Sequence, residues 1–277
     1  MATPGKKNVS AGNSRPDPRS WPDHGAFAAW LGHSTVLLKL DGYTVITDPV
    51  LGAKVGVDLR IAQVGIRRLV DPALAVHDLP HIDLVLLSHA HFDHFDKPTL
   101  RALRHPKTEV ITAPHTASLL RFYRYRRIRE LRWGEEVSAG PLRIKALEVQ
   151  HWGARYRTDT YRGYNGYLVH DGSHRVLFGG DTAMTDAFRH VRSSQRIDLA
   201  IMPIGAYQPW IRNHCTPEQA LRMGLDAGAD QFLPVHHQTF RLGREPLLEP
   251  IERFQLAAAR DRVPVLVHQI GQQTRVR

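Results

Sequence analysis

The stretch Asp83-Leu84-Val85-Leu86-Leu87-Ser88-His89-Ala90-His91-Phe92-Asp93-His94 joins an apolar run to a cluster of three histidines and an aspartate. Neutral imidazole and carboxylate are the ligands that zinc and neighbouring divalent ions prefer. The apolar run predicts a buried strand, and the polar residues that follow it then lie on a loop at the strand end. A solvated, His-rich loop is the alternative, and it is disfavoured because distant parts of the chain supply further ligand types. The stretch therefore predicts a metal site with His89, His91, Asp93 and His94 among its ligands.

Three further residues of ligand type follow apolar strands elsewhere in the chain. They are His151 after Val149-Gln150, Asp181 after Phe178-Gly179-Gly180, and His236 after Phe232-Leu233-Pro234-Val235. The two glycines before Asp181 allow a tight turn that directs the carboxylate outward. Each residue alone would be interpreted as structural. Together with the first motif they predict one ligand set gathered at strand ends.

Length and composition indicate one domain. A chain of 277 residues with 42% hydrophobic residues can bury a full core and is at the upper end of the single-domain range. We predict a single domain over residues 25–277 and a disordered tail over residues 1–24, which are rich in Pro, Gly, Ser and charge. The tail has no apolar stretch typical of a secretory signal, and no apolar run approaches the roughly 20 residues that span a bilayer. The single cysteine, Cys215, excludes an internal disulfide and fits a cytoplasmic location.

The charge balance is basic. The chain has 37 Lys and Arg against 27 Asp and Glu, which gives a net charge of +10. Such a field attracts anions, whether phosphorylated metabolites, phospholipid head groups or nucleic acid. Plain solubility explains the same excess equally well, so the charge does not identify a partner.

The first half of the chain predicts a hairpin, a loop and a helix. Two runs at 35–40 and 43–47 flank Asp41-Gly42, which is typical of a β-hairpin. Residues 52–70 contain glycines and several arginines and predict a loop insertion. Asp96 is placed to cap a helix that begins with Pro98 in its first turn and runs to about residue 105.

The rest of the chain alternates between short strands and helices. Strands are predicted at 83–88, 109–112, 142–149, 165–170, 175–179, 197–202, 231–235 and 263–268. Helices are predicted from about residue 115 and at 183–192, 216–227 and 246–260. Strands clustered in two sets with helices between them predict two sheets that are covered by helices.

These residues carry a family resemblance over roughly residues 26–268. The motif at 89–94 with His151, Asp181 and His236 resembles the metallo-β-lactamase superfamily, which implies an α/β (α+β) fold, a four-layer αββα sandwich. Several stretches are similar to the N-acylphosphatidylethanolamine-hydrolysing phospholipase D branch of that superfamily. They are Gly32-His33-Ser34-Thr35, Thr47-Asp48-Pro49, Gln150-His151-Trp152, Gly180-Asp181-Thr182, Pro203-Ile204-Gly205-Ala206-Tyr207 and Thr216-Pro217-Glu218-Gln219-Ala220. Bacterial lactonases of the ascorbate-6-phosphate type are looser relatives.

The resemblance implies two divalent metal ions and a hydroxide nucleophile between them. The first ion would be held by His89, His91 and His151, the second by Asp93, His94 and His236, and Asp181 would bridge both. Bound divalent ions lower the pKa of water toward neutrality. Asp93 and Asp181 are the carboxylates that the resemblance places in this catalytic centre. His237 competes with His236, and the match of residues 236–240 to the family's His-x-x-Thr-Phe pattern favours His236. Zinc is the first choice of metal, with manganese and iron as alternatives.

The charge of such a site favours hydrolysis of an anionic substrate. Two divalent cations outweigh two carboxylates and one hydroxide by a single positive charge, and this excess suits the anionic transition state of a phosphodiester. Related diiron oxidoreductases place a Glu where this chain has His91. The resemblance therefore implies hydrolysis rather than redox chemistry.

Four residues carry weaker signals. Asp48 and His33 are candidates for orienting the ligand imidazoles, with a turn or capping role as the alternative. Tyr207 and His214 are candidates for substrate contacts, with a packed aromatic residue and a surface histidine as the alternatives. The chain has Gln208 where the mammalian-type branch has Glu, which leaves the substrate open.

Residues 121–133 form an arginine-rich segment. It contains six arginines together with Phe122, Tyr123, Tyr125 and Trp133. Such a segment can bind a lipid head group or nucleic-acid phosphates, with the aromatic residues at the interface. The alternative is a helix end whose arginines complement the helix dipole on a solvated face.

Three functions are open at this point. The first is a dinuclear metal hydrolase that acts on a phosphodiester, such as an N-acyl phospholipid, with peripheral contact to the inner face of the membrane. The second is a lactonase or other ester hydrolase that acts on a small phosphorylated metabolite. The third is a nucleic-acid-binding or processing protein, which is disfavoured because nuclease relatives add a second domain or arm for which 277 residues leave little room.

Overall fold

The computed structural model describes residues 14–59, 61–192 and 196–277. Its strands are β1 (Ala26–Gly32), β2 (Thr35–Leu40), β3 (Tyr43–Thr47), β4 (Lys54–Asp58), β5 (Gln63–Arg67), β6 (Leu84–Leu86), β7 (Glu109–Thr112), β8 (Arg127–Glu130), β9 (Glu136–Ala139), β10 (Leu142–Leu147), β11 (Gly166–His170), β12 (Arg175–Phe178), β13 (Leu199–Pro203), β14 (Phe232–Val235) and β15 (Gln273–Val276). Its α-helices are α1 (Lys97–Ala102), α2 (Tyr207–Trp210), α3 (Pro217–Ala227) and α4 (Glu249–Asp261), and short 3₁₀ turns lie at Pro18–Ser20, Val76–Asp78, Ala117–Leu120 and Ala187–Val191. Among the described residues, no helix combines the length and the apolar character needed to cross a bilayer.

Two sheets lie at the centre of the structure. The seven-stranded sheet has the order β15-β1-β2-β3-β6-β7-β8, and the six-stranded sheet has the order β14-β13-β12-β11-β10-β9. Strands β3, β6, β7 and β8 are parallel, and so are β12, β13 and β14. The carboxyl ends of parallel strands meet at one edge of a sheet, which is where loops commonly carry functional side chains.

The core lies between the two sheets, and further apolar layers cover their outer faces. Trp30, Tyr167 and Phe178 are fully buried in the central layer. Outside the six-stranded sheet, Phe232 packs against Phe254 of α4 in a layer that also includes α3. Outside the seven-stranded sheet, α1 and the first three 3₁₀ turns cover a third apolar layer. Two sheets with helices on both sides confirm the predicted four-layer αββα sandwich.

The two strongest local sequence signals, a turn dipeptide and a helix cap, predict their elements correctly. β2 and β3 form an antiparallel hairpin around Asp41-Gly42, and Gly42 has a φ of 84°, which glycine adopts without strain. Asp96 caps α1 by accepting a hydrogen bond from the Thr99 N–H at 3.1 Å. The helix ends at Ala102, a few residues before the predicted end.

Four predictions of local structure are wrong. Residues 52–70 are more than a loop, because β4 and β5 pair there as a separate hairpin. The helices expected from about 115 and at 183–192 are short 3₁₀ turns, and the chain after the first turn joins the sheet as β8. The last strand is β15 rather than residues 263–268, because β15 pairs with β1 at the edge of the seven-stranded sheet.

The folded part begins before the predicted boundary at residue 25. Trp21 is buried, stacks on Phe27 and donates a hydrogen bond from Nε1 to Gln273 Oε1 at 3.0 Å. Residues 14–24 are therefore anchored on the domain by an aromatic side chain, which corrects the prediction of a disordered tail for this part. Residues 1–13 of the predicted tail lie outside the described residues.

The arginine-rich segment 121–133 is not a helix end. Its centre is β8, at the edge of the seven-stranded sheet. Arg129 pairs with Glu109 at 2.9 Å, and the Tyr125 hydroxyl donates to Leu100 O at 2.6 Å. Two residues of the segment thus stabilise the fold. Binding of a lipid head group or nucleic acid by the segment stays a prediction.

Candidate metal centre

Strands from both sheets end at one edge of the molecule and deliver side chains of ligand type. The loop after β6 carries the motif at 89–94, and His151, Asp181 and His236 follow β10, β12 and β14. His236 has a φ of 63°, so the chain turns sharply directly after β14. These turns bring the side chains of all seven residues into two adjoining clusters.

His89, His91 and His151 form the first cluster. His89 Nε2 lies 2.8 Å from His91 Nδ1, and His151 Nε2 lies 3.3 Å from the same atom. Each residue offers one ligand atom within 4.8 Å of the others, a spacing at which three imidazoles can face one ion. Burial lowers the pKa of His91 to about 4 and the pKa of His89 and His151 well below the usual value. The three rings are therefore neutral, as metal ligands must be.

Asp93, His94 and His236 form the second cluster, and Asp181 lies between the two. Asp93 Oδ2 is 3.4 Å from His94 Nε2 and 3.5 Å from His236 Nε2. Asp181 Oδ2 is 3.1 Å from each of the same two nitrogens and 3.8 Å from His151 Nε2 in the first cluster. Asp181 therefore reaches both clusters, as a bridging carboxylate must.

The second cluster combines buried carboxylates with protonated imidazoles. Burial by itself raises the pKa of Asp181, but His236 and His94 outweigh it and hold that pKa well below the usual value. Burial by itself lowers the pKa of His236, but Asp181 outweighs it and raises that pKa to about 9. The pKa of His94 rises well above its usual value because Asp181 and Asp93 likewise outweigh burial. Protons and divalent cations would neutralise these carboxylates in the same place, so the two compete.

Buried polar atoms without hydrogen-bond partners indicate whether these residues fit metal ions, because a bound ion would satisfy them. Within the described ranges, five buried atoms of the cluster residues have no hydrogen-bond partner: His91 Nε2, His94 Nε2, His236 Nδ1, His236 Nε2 and Asp181 Oδ1. Two of them, the Nε2 atoms of His94 and His236, face Asp181 Oδ2 at 3.1 Å, where an ion can lie between imidazole and carboxylate. Buried polar groups are nearly always paired, and an unpaired one costs about 1–3 kcal/mol. Imidazole nitrogen and carboxylate oxygen are the donor atoms that zinc takes up. The residues therefore fit a metal centre.

Asp48 and Ser88 hold two imidazoles from outside the clusters. Asp48 Oδ2 accepts a hydrogen bond from His94 Nδ1 at 2.7 Å. Ser88 Oγ bonds to Asp48 at 2.5 Å and lies 2.8 Å from His89 Nδ1. These bonds leave Nε2 of His94 and His89 directed at the clusters. The structure thus places Asp48 where the sequence interpretation put it, whereas Ser88, which directly precedes the motif, was missed.

His33 and Asn213 complete the set of orienting partners. His33 Nε2 lies 3.0 Å from Asp93 Oδ2, so it orients a carboxylate rather than an imidazole. Burial lowers the pKa of His33 to about 3, so a neutral ring donates this hydrogen bond. Asn213 O accepts from His151 Nδ1 at 2.7 Å. This last partner is a main-chain atom, which no sequence pattern reveals.

His236, and not His237, belongs to the second cluster. The ring centroid of His237 lies 4.5 Å from that of Trp30, and its Nε2 lies 3.4 Å from Pro234 O. Burial lowers the pKa of His237 to about 3, so this ring is a neutral core residue. The geometry decides between the two alternatives that the sequence left open.

The structure corrects the predicted substrate contact of Tyr207. The Tyr207 side chain is buried, and its hydroxyl donates to Glu249 Oε1 at 2.7 Å. Arg253 Nη1 donates to the same hydroxyl at 3.2 Å. Because both partners lie on α4, Tyr207 attaches α2 to α4 and has no free hydroxyl for a substrate.

His214 lies at the clusters. Its Nδ1 is 3.9 Å from Asp181 Oδ2, is buried and has no hydrogen-bond partner among the described residues. Burial lowers the pKa of His214 to about 4, so the ring is neutral near pH 7. The surface position that was the alternative for His214 is excluded by this burial.

A cavity of about 300 Å³ opens onto the clusters, and Asp93, Asp181, His214 and His236 line its inner end. The outer wall is mostly apolar, with one arginine; it consists of Ile66, Trp152, Trp210, Arg241 and Leu242. A molecule that joins a polar reacting group to an apolar chain matches this division.

Arg155 holds the loop that carries the motif at 89–94. Its Nη1 donates to Ala90 O at 2.9 Å and to Phe95 O at 2.8 Å, and its guanidinium lies 4.1 Å from the Phe92 ring centroid. The side chain is buried, and burial lowers its pKa. One cation therefore holds the beginning and the end of the motif at 89–94. No sequence pattern marks Arg155, because its partners are main-chain carbonyls.

Comparison with known proteins finds relatives over most of the chain. A model described as the β-lactamase superfamily domain matches residues 43–237, which include all seven cluster residues. An uncharacterised protein of Mycobacterium tuberculosis (strain ATCC 25618 / H37Rv) is 35% identical over 252 residues, covering 88% of this chain and 67% of the relative. N-acyl-phosphatidylethanolamine-hydrolyzing phospholipase D 1 of Caenorhabditis elegans is 30% identical over 252 residues, covering 84% of this chain and 70% of the relative.

A solved structure shares the fold. Igni18, a metallo hydrolase from the archaeon Ignicoccus hospitalis, has a TM-score of 0.66 at 18% sequence identity. The match covers 90% of this chain and 97% of that chain. The likeness concerns the architecture of the two sheets and their helices.

Proposed function

Because the chain belongs to the metallo-β-lactamase superfamily and is a metal-dependent hydrolase of that fold, we propose that it hydrolyses the phosphodiester of a phospholipid in the manner of a phospholipase D. The substrate class that we infer is an N-acyl phospholipid. The observation that carries the proposal is the cavity of about 300 Å³, which joins the two ligand clusters to an apolar wall. The similarity to the phospholipase of Caenorhabditis elegans supports the same substrate class.

Seven side chains would hold two metal ions: His89, His91 and His151 on one side, Asp93, His94 and His236 on the other, and Asp181 between them. Bound divalent ions supply a water molecule of lowered pKa and stabilise negative charge on a phosphoryl oxygen. The zinc preference of such ligands is the basis for proposing zinc, with manganese and iron as alternatives.

The remaining cavity residues bind and orient the substrate. Arg241 at the rim pairs with the phosphate, because its guanidinium matches two phosphoryl oxygens. Trp152 and Trp210 cover apolar chains and exclude water from the entrance. His214, a neutral ring 3.9 Å from Asp181, is placed to contact an oxygen of the bound phosphodiester.

The test is hydrolysis of N-acylphosphatidylethanolamine by metal-loaded protein. We expect release of phosphatidic acid, loss of this release on chelation, and its return when zinc, manganese or iron is added. If metal-loaded protein releases no phosphatidic acid, the proposal is wrong. If the protein opens lactone rings much faster than it cleaves any phosphodiester, the lactonase alternative replaces it.

A variant of Asp181 tests the bridging role. Asp181→Ala should lose bound metal and activity together, because this carboxylate reaches both clusters. Asp186→Ala, which removes a solvent-exposed carboxylate, is the matched control and should keep both. Two tightly bound metals in Asp181→Ala would show that another residue bridges the clusters.

A further inference from the structure

The hairpin of β4 and β5 has an apolar side and a polar side. The register places Val57 opposite Val64 and Val55 opposite Ile66, and directly opposite residues of antiparallel strands lie on the same side. The apolar side, which we name the hairpin face, consists of Val55, Val57, Leu59, Ala62, Val64 and Ile66. The other side consists of Lys54, Gly56, Asp58, Gln63, Gly65 and Arg67.

Most of the hairpin face is open to solvent. Val55 at the base is buried in a small apolar cluster. Toward the turn, Leu59 is 55% exposed and Val64 60%, and Ile61 at the tip is 95% exposed. Large apolar side chains grouped in this way on a protein surface mark an interaction site.

Contacts at its base and on its polar side hold the hairpin on the domain. Arg68 donates from Nε to Gly52 O at 2.9 Å, and its guanidinium lies 4.9 Å from the Phe240 ring centroid. Gln63 donates from Nε2 to Oδ1 of Asp96, the capping residue of α1, at 2.8 Å. The hairpin is thus tied to the domain while its outer apolar residues remain uncovered by the described part of the chain.

The metal cavity opens beside the hairpin face. Ile66 belongs to the face and also lines the cavity together with Trp152 and Trp210. Both tryptophans and the neighbouring Ile211 are exposed. Tryptophan prefers the boundary between water and lipid, because its ring is apolar and its N–H is polar. The hairpin face and these residues form one apolar rim around the cavity entrance.

Three exposed arginines lie close to this apolar rim in the sequence. Arg212, Arg241 and Arg244 are exposed, and none of them forms an ion pair with any residue that the structure describes. The nearby acid Glu245 is buried and accepts hydrogen bonds from the Ala206 and Gln208 N–H groups. Cationic side chains without acidic partners beside an apolar rim complement the anionic head groups of a lipid surface.

We propose that the apolar rim, together with Ile61 at the hairpin tip, docks on a bilayer that contains anionic phospholipids. Leu59, Ile61 and Val64 enter the interfacial region of the lipid, and Arg212 and Arg244 contact the head groups. The inference rests on the proposed function, because a cavity whose entrance lies on the bilayer receives a phospholipid directly from it. The proposed membrane-contacting surface therefore lies at the cavity entrance.

Vesicle sedimentation tests the docking without any turnover. Wild-type protein should bind vesicles of phosphatidylglycerol and phosphatidylcholine, and less at high salt, since salt screens the arginines. The double variant Leu59→Ser/Ile61→Ser should bind at least about tenfold more weakly, because both apolar side chains lose their burial in lipid. Leu256→Ser, which removes a 63% exposed leucine on α4, is the matched control and should bind like the wild type.

A soluble diester separates the docking from the catalysis. The double variant should hydrolyse bis(p-nitrophenyl) phosphate at the wild-type rate and should be slower only on phospholipid in vesicles. Wild-type protein that does not bind vesicles, or a double variant that binds like the wild type, would overturn the docking. Vesicle binding without any phospholipid hydrolysis would leave the docking in place and refute the proposed function. A wild-type dimer that the double variant converts to a monomer, with vesicle binding unchanged, would assign the hairpin face to a second copy of the chain.

Discussion

Asp48 controls the orientation of His94 from outside the metal clusters. Its buried carboxylate accepts hydrogen bonds from His94 Nδ1 and from the side chain and main chain of Ser88. In Asp48→Asn the amide keeps one acceptor oxygen and has no charge to hold the imidazole. We therefore expect about 10- to 100-fold weaker metal binding, measured by competition with a chromophoric chelator.

Asp186→Asn is the control for Asp48→Asn. Asp186 carries an exposed carboxylate whose removal should not change metal affinity. If Asp48→Asn binds metal as tightly as Asp186→Asn, then Asp48 contributes only to packing around Ser88.

The imidazole pKa values predict that the two clusters respond differently to pH. Burial keeps the pKa of His91 at about 4, so the first cluster is neutral above pH 6 and releases no proton when it binds metal. Asp181 keeps the pKa of His236 at about 9, so His236 must lose a proton before it binds metal. The affinity of the second cluster should therefore rise with pH up to about 9, by up to about tenfold per pH unit for each proton released.

Metal titrations between about pH 6 and pH 8 check this difference, since one proton released per ion gives a unit slope of log affinity against pH. Two binding steps should appear, one almost independent of pH and one that strengthens with pH. Calorimetry in buffers of different ionisation enthalpy counts the protons released in each step. Two steps with the same pH slope would contradict the charge assignment of the clusters.

At the scale of residues, the sequence predicts the cluster residues better than the groups that orient them. His and Asp directly after apolar strands are recognisable, because residue type and position both carry information. Asp48 was predictable for the same reason. Arg155 and Asn213 were not, because their partners or their contacting atoms belong to the main chain. Tyr207 was misplaced, because the sequence does not show that Glu249 takes its hydroxyl.

At the scale of elements, the loop between β6 and α1 depends on one buried cation. Arg155 donates to the carbonyls of Ala90 and Phe95 at the two ends of the ligand motif. Arg155→Met leaves these carbonyls without this donor. We expect the free energy of unfolding to fall by about 2–4 kcal/mol and metal binding to weaken as the loop loosens. Urea unfolding and metal titration measure the two effects.

The control for Arg155→Met is Arg157→Met, which changes an exposed arginine two residues away. It should leave both the free energy of unfolding and the metal affinity unchanged. An Arg155→Met protein as stable as Arg157→Met would show that solvent or other groups satisfy the carbonyls of Ala90 and Phe95.

The two hairpins show which elements a sequence reveals. β2 and β3 were predicted because Asp41-Gly42 is a strong turn signal between two alternating runs. The β4–β5 hairpin is not predicted from the sequence, because its glycines indicate irregular structure. In the structure Gly56 and Gly65 face each other, and a Cβ on Gly65 would collide with Val55 O. The residues that suggested a loop are therefore those that allow the strands to approach.

Edge strands were the hardest elements to predict. β15 pairs with β1, so the last strand completes a sheet that begins near the start of the chain. β8 joins β7 at the other edge of the same sheet. Pairing over such separations depends on tertiary contacts, and a local alternation pattern carries little of that information.

At the scale of the whole molecule, the candidate metal centre depends on the packing of one sheet on the other. The loop after β6 comes from the seven-stranded sheet, whereas His151, Asp181 and His236 follow strands of the six-stranded sheet. The clusters therefore form only when the central core between the sheets is assembled. Metal ions bound there would connect the two sheets at one edge, in addition to the apolar contacts.

This arrangement predicts that metal removal lowers the stability of the whole domain. A ligand that binds only the folded state stabilises it by about 2.7 kcal/mol when its free concentration is roughly 100 times the dissociation constant. Chelation should therefore lower the unfolding temperature, and added zinc should restore it in proportion to the logarithm of the free zinc concentration. Asp181→Ala should have a low unfolding temperature that zinc raises much less, because its carboxylate reaches both clusters. Calorimetry of both proteins with and without zinc checks this prediction. If neither chelator nor zinc changes the unfolding temperature of the wild type, a metal centre between the sheets is contradicted.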